Sequence, residues 1–183
     1  SHFYDPQKNS YRLNSEDRSL SSLEMIDMLE KWTKEHPVIS IEDGLAENDW
    51  EGWIVLTQRL GKHIQLIGDD LFTTNPSRLQ KGFDLKAGNS ILVKMNQIGT
   101  LTETVFTLNM AKNAGFKTIV SARSGETEDA TLSDLAVGLN GGQIKIGSVA
   151  GSSRLAKYNQ LLRINEQLGG KYMGSSVFDF NKK

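Results

Sequence analysis

Five short apolar stretches of this chain each end in, or carry, residues able to do polar chemistry. Glu42-Asp43 closes the first and Asp69-Asp70 the second. The third carries Lys94 and then Asn96-Gln97, the fourth runs into Arg123-Ser124, and the fifth carries Lys145. Carboxylates on neighbouring strand ends can converge on one hard cation, because Mg²⁺ takes oxygen ligands and keeps several waters. A lysine held beside such a cation has its ammonium form disfavoured and suits the part of a general base. The planar fork of Arg123 matches a phosphate or a carboxylate. Each of these residues has a plainer reading when taken singly. A Glu-Asp or Asp-Asp pair is then a solvated strand edge, Lys94 or Lys145 a snorkelling surface lysine, and Arg123 a helix cap or a weak surface pair. Five such positions at one topological end favour metal-assisted chemistry on an anionic substrate.

The elements that must position them alternate. The β-branched runs Pro37–Asp43, Ile64–Asp70, Ser90–Asn96, Thr118–Ser124 and Gln143–Ser148 read as strands of six or seven residues buried on both faces. Helical patterns lie between them. Ser21-x-x-Glu24 is a capping box ahead of Met25, Met28, Leu29 and Trp32. Trp53, Leu56 and Leu60 form a second stripe ending at Gly61, and Thr73–Leu79 reads as a short helix starting near Pro76. Thr100-x-x-Glu103 caps a helix carrying Leu101, Val105, Leu108 and Ala111, which Gly115 stops. Leu132, Leu135, Ala136 and Leu139 give another, and Leu155, Tyr158 and Leu162 begin a last one that Gly169-Gly170 ends.

This β-α repetition predicts a parallel sheet with helical crossovers. An open doubly wound sheet and a (β/α)₈ barrel both satisfy it. No strand–helix turn carries a dinucleotide fingerprint, and Gly141-Gly142 precedes a strand, so it is no phosphate loop. A barrel takes about 250 residues and eight strands. Five strands are clear here, six if Phe3–Tyr11 supplies one, so a barrel reading is an incomplete barrel. Residues 1–170 read as one domain and Lys171–Lys183 as a patternless tail expected to fray.

Composition removes several function classes. The 183 residues suffice for a core without staples. With 21 basic and 22 acidic residues the formal net charge is -1, which provides no basic field for nucleic acid. There are no cysteines, so disulfides, thiolate catalysis and cysteine zinc sites are excluded. No apolar run reaches membrane-spanning length and no leader is visible, so cytoplasmic residence is expected. The chain opens Ser1-His2-Phe3-Tyr4 without methionine, as a processed product or a piece of a longer protein would.

Longer strings carry a resemblance. SIEDGLAENDW (40–50), IGDDLFTTNP (67–76), LVKMNQIGTLTET (92–104), RSGETEDATLSDLAVG (123–138) and AKYNQLLRI (156–164) are similar to bacterial enolase, phosphopyruvate hydratase. The order of the motifs matches the C-terminal part of that family's TIM-type barrel, about five βα units. The resemblance implies reversible, Mg²⁺-dependent dehydration of 2-phosphoglycerate to phosphoenolpyruvate. It implies that Glu42 and Asp69 are two of three carboxylates holding Mg²⁺, and that Lys94 removes the C2 proton. It further implies phosphate contacts from Arg123 and Ser124, and a contact from Lys145 to the substrate carboxylate.

Departures from the family pattern are equally specific. The family reads Ser-His-Arg-Ser where this chain has Ser121-Ala122-Arg123-Ser124. Ile146 replaces a threonine, and Gly151 and Ser153 replace an arginine and an acid. The third metal carboxylate and the glutamate general acid belong upstream of Ser1. The expectation is therefore weak or no activity from this chain alone, with a need for the N-terminal part or a homo-oligomer partner. The competing expectation is a non-catalytic enolase-like binding or scaffold protein.

Overall fold

The computed structural model describes residues 1–170 and 172–179; Lys171 and residues 180–183 of the expected tail lie outside the described residues. The chain runs β1 (Tyr4–Asp5), β2 (Ser10–Leu13), β3 (Arg18–Leu20), α1 (Ser22–Glu35), β4 (Ser40–Glu42) and α2 (Trp50–Leu60). It continues through β5 (Gln65–Gly68), α3 (Pro76–Leu85), β6 (Ser90–Val93), α4 (Met95–Ile98) and α5 (Leu101–Asn113). Then come β7 (Lys117–Ser121), α6 (Thr131–Gly138), β8 (Gln143–Lys145), α7 (Ser152–Leu168) and a 3₁₀ turn at Gly174–Phe178.

The last five strands form one parallel sheet in chain order, β4-β5-β6-β7-β8. Their C-terminal ends share a rim because every pair is parallel and every crossover is helical. The sheet curls. Four steps of about 4.8 Å would separate β4 and β8 by about 19 Å in a flat sheet. Yet Lys145 at the end of β8 donates to both carboxylate oxygens of Glu42 at the end of β4, at 2.6 Å each. This is the arc of an incomplete α/β barrel.

The first strands depart from expectation. Phe3–Tyr11 supplies no sixth parallel strand. β1, β2 and β3 pair antiparallel in a separate sheet. Buried Tyr11 joins that sheet to the barrel: its hydroxyl donates to Asp49 Oδ2 at 2.7 Å and accepts from the Ala46 N–H at 2.9 Å. Burial pushes the Tyr11 hydroxyl pKa up. Asp49 caps α2 through the Gly52 N–H, so one carboxylate serves both tasks.

The parallel strands are shorter than the apolar runs, at three to five residues. Only the central ones are buried on both faces. β5 and β6 are buried throughout, whereas the edge strands β4 and β8 contain no buried residue. An edge strand lacks a neighbour to cover its flank.

The helix caps follow the sequence. Ser21 and Glu24 form the reciprocal capping box, Thr100 accepts from the Glu103 N–H, and Gly169 ends α7 in a left-handed conformation. Two faces differ from the periodicity. α5 buries Thr104, Thr107, Leu108 and Ala111 and leaves Leu101 exposed. α7 buries Lys157 and leaves Leu162 exposed. The short helix expected within Thr73–Leu79 starts at Pro76 as expected, capped by Asn75, but continues to Leu85. Thr73 and Thr74 are left-handed turn residues with φ of 48° and 55°.

Candidate active site

Each expected residue sits at the C-terminal rim. Glu42 and Lys145 are the last residues of β4 and β8, Asp69 and Lys94 directly follow β5 and β6, and Arg123-Ser124 lie in the loop after β7. The turn after β5 is fixed by packing. Phe72 is fully buried, and a Cβ on Gly68 would lie 2.4 Å from its ring, so only glycine lets the ring close under Asp69.

Two of the expected residues meet in a largely buried pair. Lys94 Nζ donates to Asp69 Oδ2 at 2.5 Å, with the two side chains only 12% and 13% exposed. Gln97 Nε2 donates to the other oxygen, Oδ1, at 3.0 Å. Gln97 Oε1 in turn accepts from the Thr74 hydroxyl at 2.8 Å, and the same hydroxyl oxygen accepts the Lys94 N–H at 2.9 Å. Thr74 is fully buried, and a β-branched residue in left-handed backbone costs of order 1–3 kcal/mol.

Asp43 staples the rim between β4 and β5. Its carboxylate accepts the Asp69 N–H at 2.9 Å and the Asp70 N–H at 2.8 Å. Burial, the largest influence, raises its pKa; the two amides pull it down, and Asp69 and Asp70 push it further up. Carboxylate oxygens of Asp43, Asp69 and Asp70 lie within 4.8 Å of one another. The Asp43 oxygens are committed to amides, which makes Asp43 a structural carboxylate here.

The remaining expected residues are more open. Glu42 and Lys145 face each other with their side chains 30% and 51% exposed. Arg123 and Ser124 are exposed, and among the described residues no hydrogen bond or ion pair joins them to Lys94, Asp69 or Lys145. The Arg123 backbone N–H donates to Glu126 Oε1 at 2.9 Å, and among the described residues nothing holds its guanidinium.

Glu42 and Asp69 offer oxygen only, the ligand type a hard cation takes, but among the described residues the carboxylates that converge are Asp43, Asp69 and Asp70, without Glu42. Asp69 and Glu42 each already have a lysine as counter-charge.

The sequence profile of the enolase C-terminal TIM barrel domain matches residues 1–180. The chain belongs to the enolase family. It is 54% identical over 180 residues to Enolase 1 of Desulfitobacterium hafniense (strain Y51). The alignment covers 97% of this chain and 41% of that enolase, so the chain spans about two-fifths of its relative's length.

Within this enolase-family barrel, the departures noted above have physical content. Ala122 is half-buried, packs against the core and donates its N–H to the Lys145 carbonyl at 2.9 Å. Its side chain can neither donate nor accept. Ile146 is buried in the core. Gly151 precedes α7 at φ 91° and supplies no side-chain cap.

Sequence reasoning missed Thr74 and Gln97. The sequence marks Gln97 only as a neighbour of Lys94, and Thr74 only as part of the stretch leading into the helix near Pro76. The available signal was Pro76 preceded by Asn75: an Asn cap before Pro puts Thr74 outside the helix. Lys157 was missed as well. Its ammonium is buried and donates to the Thr127 and Ser153 carbonyls at 2.9 Å each.

Proposed function

We propose that this chain carries the proton-abstracting part of a phosphopyruvate hydratase site, acting on 2-phosphoglycerate and, in reverse, phosphoenolpyruvate. Membership of the enolase family supports that activity and its lyase class. The observation that carries the residue assignment is the pair Lys94–Asp69, built into the buried side of the rim.

In this reading Lys94 Nζ takes the proton from C2. That proton is weakly acidic, because its removal adds charge beside a carboxylate. Lys145 meets the growing charge on the substrate carboxylate where it develops. Arg123 and Ser124 hold the phosphate, the former through its planar fork. Glu42 and Asp69 would hold Mg²⁺, which supplies Lewis-acid stabilisation of the negative charge. Lys94 now pairs with Asp69 and Lys145 with Glu42, so the same carboxylates that would hold the cation also hold the two lysines assigned to proton transfer and to substrate. The departing C3 hydroxide needs a proton from an acid that these residues do not include. We assign that acid, and a third metal carboxylate, to an upstream part or a partner subunit. Cytoplasmic residence and a boundary between barrel and tail near Gly170 belong to the same reading.

A second reading, a non-catalytic enolase-like binding or scaffold protein, is favoured by Ala122, which puts a methyl group where the family pattern has a histidine. Titration of the ¹⁵N-labelled chain with 2-phosphoglycerate and Mg²⁺ separates the two. The hydratase reading expects amide shifts at the ends of β4 to β8 and none in the β1–β3 sheet. Absence of shifts at the rim favours the second reading.

A further inference from the structure

Thr74 stands out because three unusual properties coincide in it: complete burial, β-branching in a left-handed turn, and a hydroxyl that spans two strand ends. An outlier that the surroundings over-determine is a reason to look for a function. The surroundings do hold it. The buried Thr107 hydroxyl shares its one proton between the Glu103 carbonyl at 2.8 Å and the Thr74 carbonyl at 3.2 Å, and the Lys94 N–H donates to the Thr74 side chain.

We propose that Thr74 and Gln97 form a positioning relay that dictates which oxygen of Asp69 faces Lys94. The assignment of Asp69 and Lys94 to metal and proton transfer is that of the hydratase reading, on which this inference rests. The hydrogen-bond chemistry admits one arrangement. An ionised carboxylate only accepts, so the Gln97 amide must present its NH₂ to Asp69 Oδ1. Its Oε1 is then turned away and needs a donor. Thr74 Oγ1 already accepts from the Lys94 backbone, so its proton is available for Gln97. Held through Oδ1 by Gln97, the carboxylate is turned so that Oδ2 faces Lys94 Nζ. The relay thus ties the Asp69 carboxylate to the backbone of the residue whose side chain it also contacts. A threonine serves where glycine would suit the backbone, because the hydroxyl is the connecting part.

The test uses the 183-residue chain with Mn²⁺ as the probe, and variants Thr74→Val, Thr74→Ser, Gln97→Ala and the Thr74→Val/Gln97→Ala double. Gln97 side-chain NH₂ resonances and Mn²⁺ affinity by isothermal titration are both read. Outer-shell partners of metal-holding residues are typically worth about 10- to 100-fold in affinity. Thr74→Val is expected to move the Gln97 NH₂ resonances, accelerate their solvent exchange and weaken Mn²⁺ by about tenfold or more. Thr74→Ser, which keeps the hydroxyl, is expected to restore both readouts even if its melting temperature falls. The double variant is expected to bind no worse than the weaker single, because both substitutions break the same chain. Gln97 is half-buried, so Gln97→Ala keeps the affinity test open should Thr74→Val fold poorly. Unchanged Gln97 resonances in folded Thr74→Val overturn the relay. So does unchanged Mn²⁺ affinity in folded Thr74→Val or in Gln97→Ala. If the unsubstituted chain binds no Mn²⁺, the metal reading of Glu42 and Asp69 fails, while the Gln97 resonances in Thr74→Val and Thr74→Ser still decide the relay.

Discussion

The β5–β6 side of the rim and the β7–β8 side are built differently. At β5–β6, Asp69, Lys94, Gln97 and Thr74 form a connected set in which each polar atom contacts the next, largely away from water. At β7–β8, Arg123 and Ser124 are exposed, and Lys145 reaches across the arc to a partly exposed Glu42. The first side is what a group requires if its geometry must be fixed before substrate arrives. The second resembles a surface that acquires its geometry from a ligand. Ala122 lies on the second side, where its N–H meets the Lys145 carbonyl but its side chain contributes no polar atom.

Stability separates the two sides most strongly. Asp69→Asn leaves the Lys94 ammonium unpaired in a mostly buried setting, and breaking such a pair costs about 3–5 kcal/mol. Glu42→Gln breaks an accessible pair and is expected to cost about 0–1 kcal/mol. Urea denaturation of both variants measures the contrast, and equal losses would break it.

Local opening comes next. The Lys94 N–H donates to a fully buried hydroxyl, whereas the Arg123 N–H donates to a carboxylate on its own loop. Native-state amide exchange should be slower at Lys94 than at Arg123 by about tenfold or more. Comparable rates would place the two sides on one footing.

Metal binding sharpens the comparison by a smaller margin. Two carboxylates with lysine counter-charges should bind Mg²⁺ weakly, with little heat in a calorimetric titration at neutral pH. Either Asp69→Asn or Glu42→Gln should remove that heat. Tight one-to-one binding would mean that a further ligand such as Asp70 completes the set.

The smallest effect is a pH slope. Burial raises the Asp43 pKa, so the folded chain binds a proton there more readily than the unfolded chain. The stability Asp43 contributes is therefore present below the ordinary aspartate pKa and is lost as pH rises through its raised folded value. Asp43→Asn should make stability rise more steeply with pH above the ordinary aspartate pKa, where the folded carboxyl still holds its proton and the unfolded one does not. Urea midpoints at stepped pH provide the check, and an unchanged slope would show that Asp43 is not desolvated.

Much of this arrangement was legible in the sequence. Strand ends followed from β-branched runs, and helix starts from Ser21-x-x-Glu24 and Thr100-x-x-Glu103, because these patterns are local. The antiparallel β1–β3 sheet was not legible, since strands of two to four residues leave almost no periodicity. The exposed Leu162 and buried Lys157 of α7 reversed the apolar rule, because three oxygen-bearing partners satisfy the ammonium: the Thr127 and Ser153 carbonyls and Glu126. Among site residues, Asp69 and Lys94 were visible as types at strand ends. Their coupling through Thr74 was invisible, since it depends on a left-handed turn and on contacts across 20 and more positions of sequence.

If Lys94 is the base proposed above, it should remove a proton even where the rest of the site is incomplete. Incubating the purified 183-residue chain with 2-phosphoglycerate and Mg²⁺ in deuterium oxide tests it most directly. Proton NMR follows loss of the C2 signal while ultraviolet absorbance follows phosphoenolpyruvate. The expected result is slow C2 exchange with little or no phosphoenolpyruvate, reduced about 10²–10⁴-fold by Lys94→Met, the usual worth of one positioned acid–base group. No exchange above the uncatalysed background, or exchange that survives Lys94→Met, would contradict it.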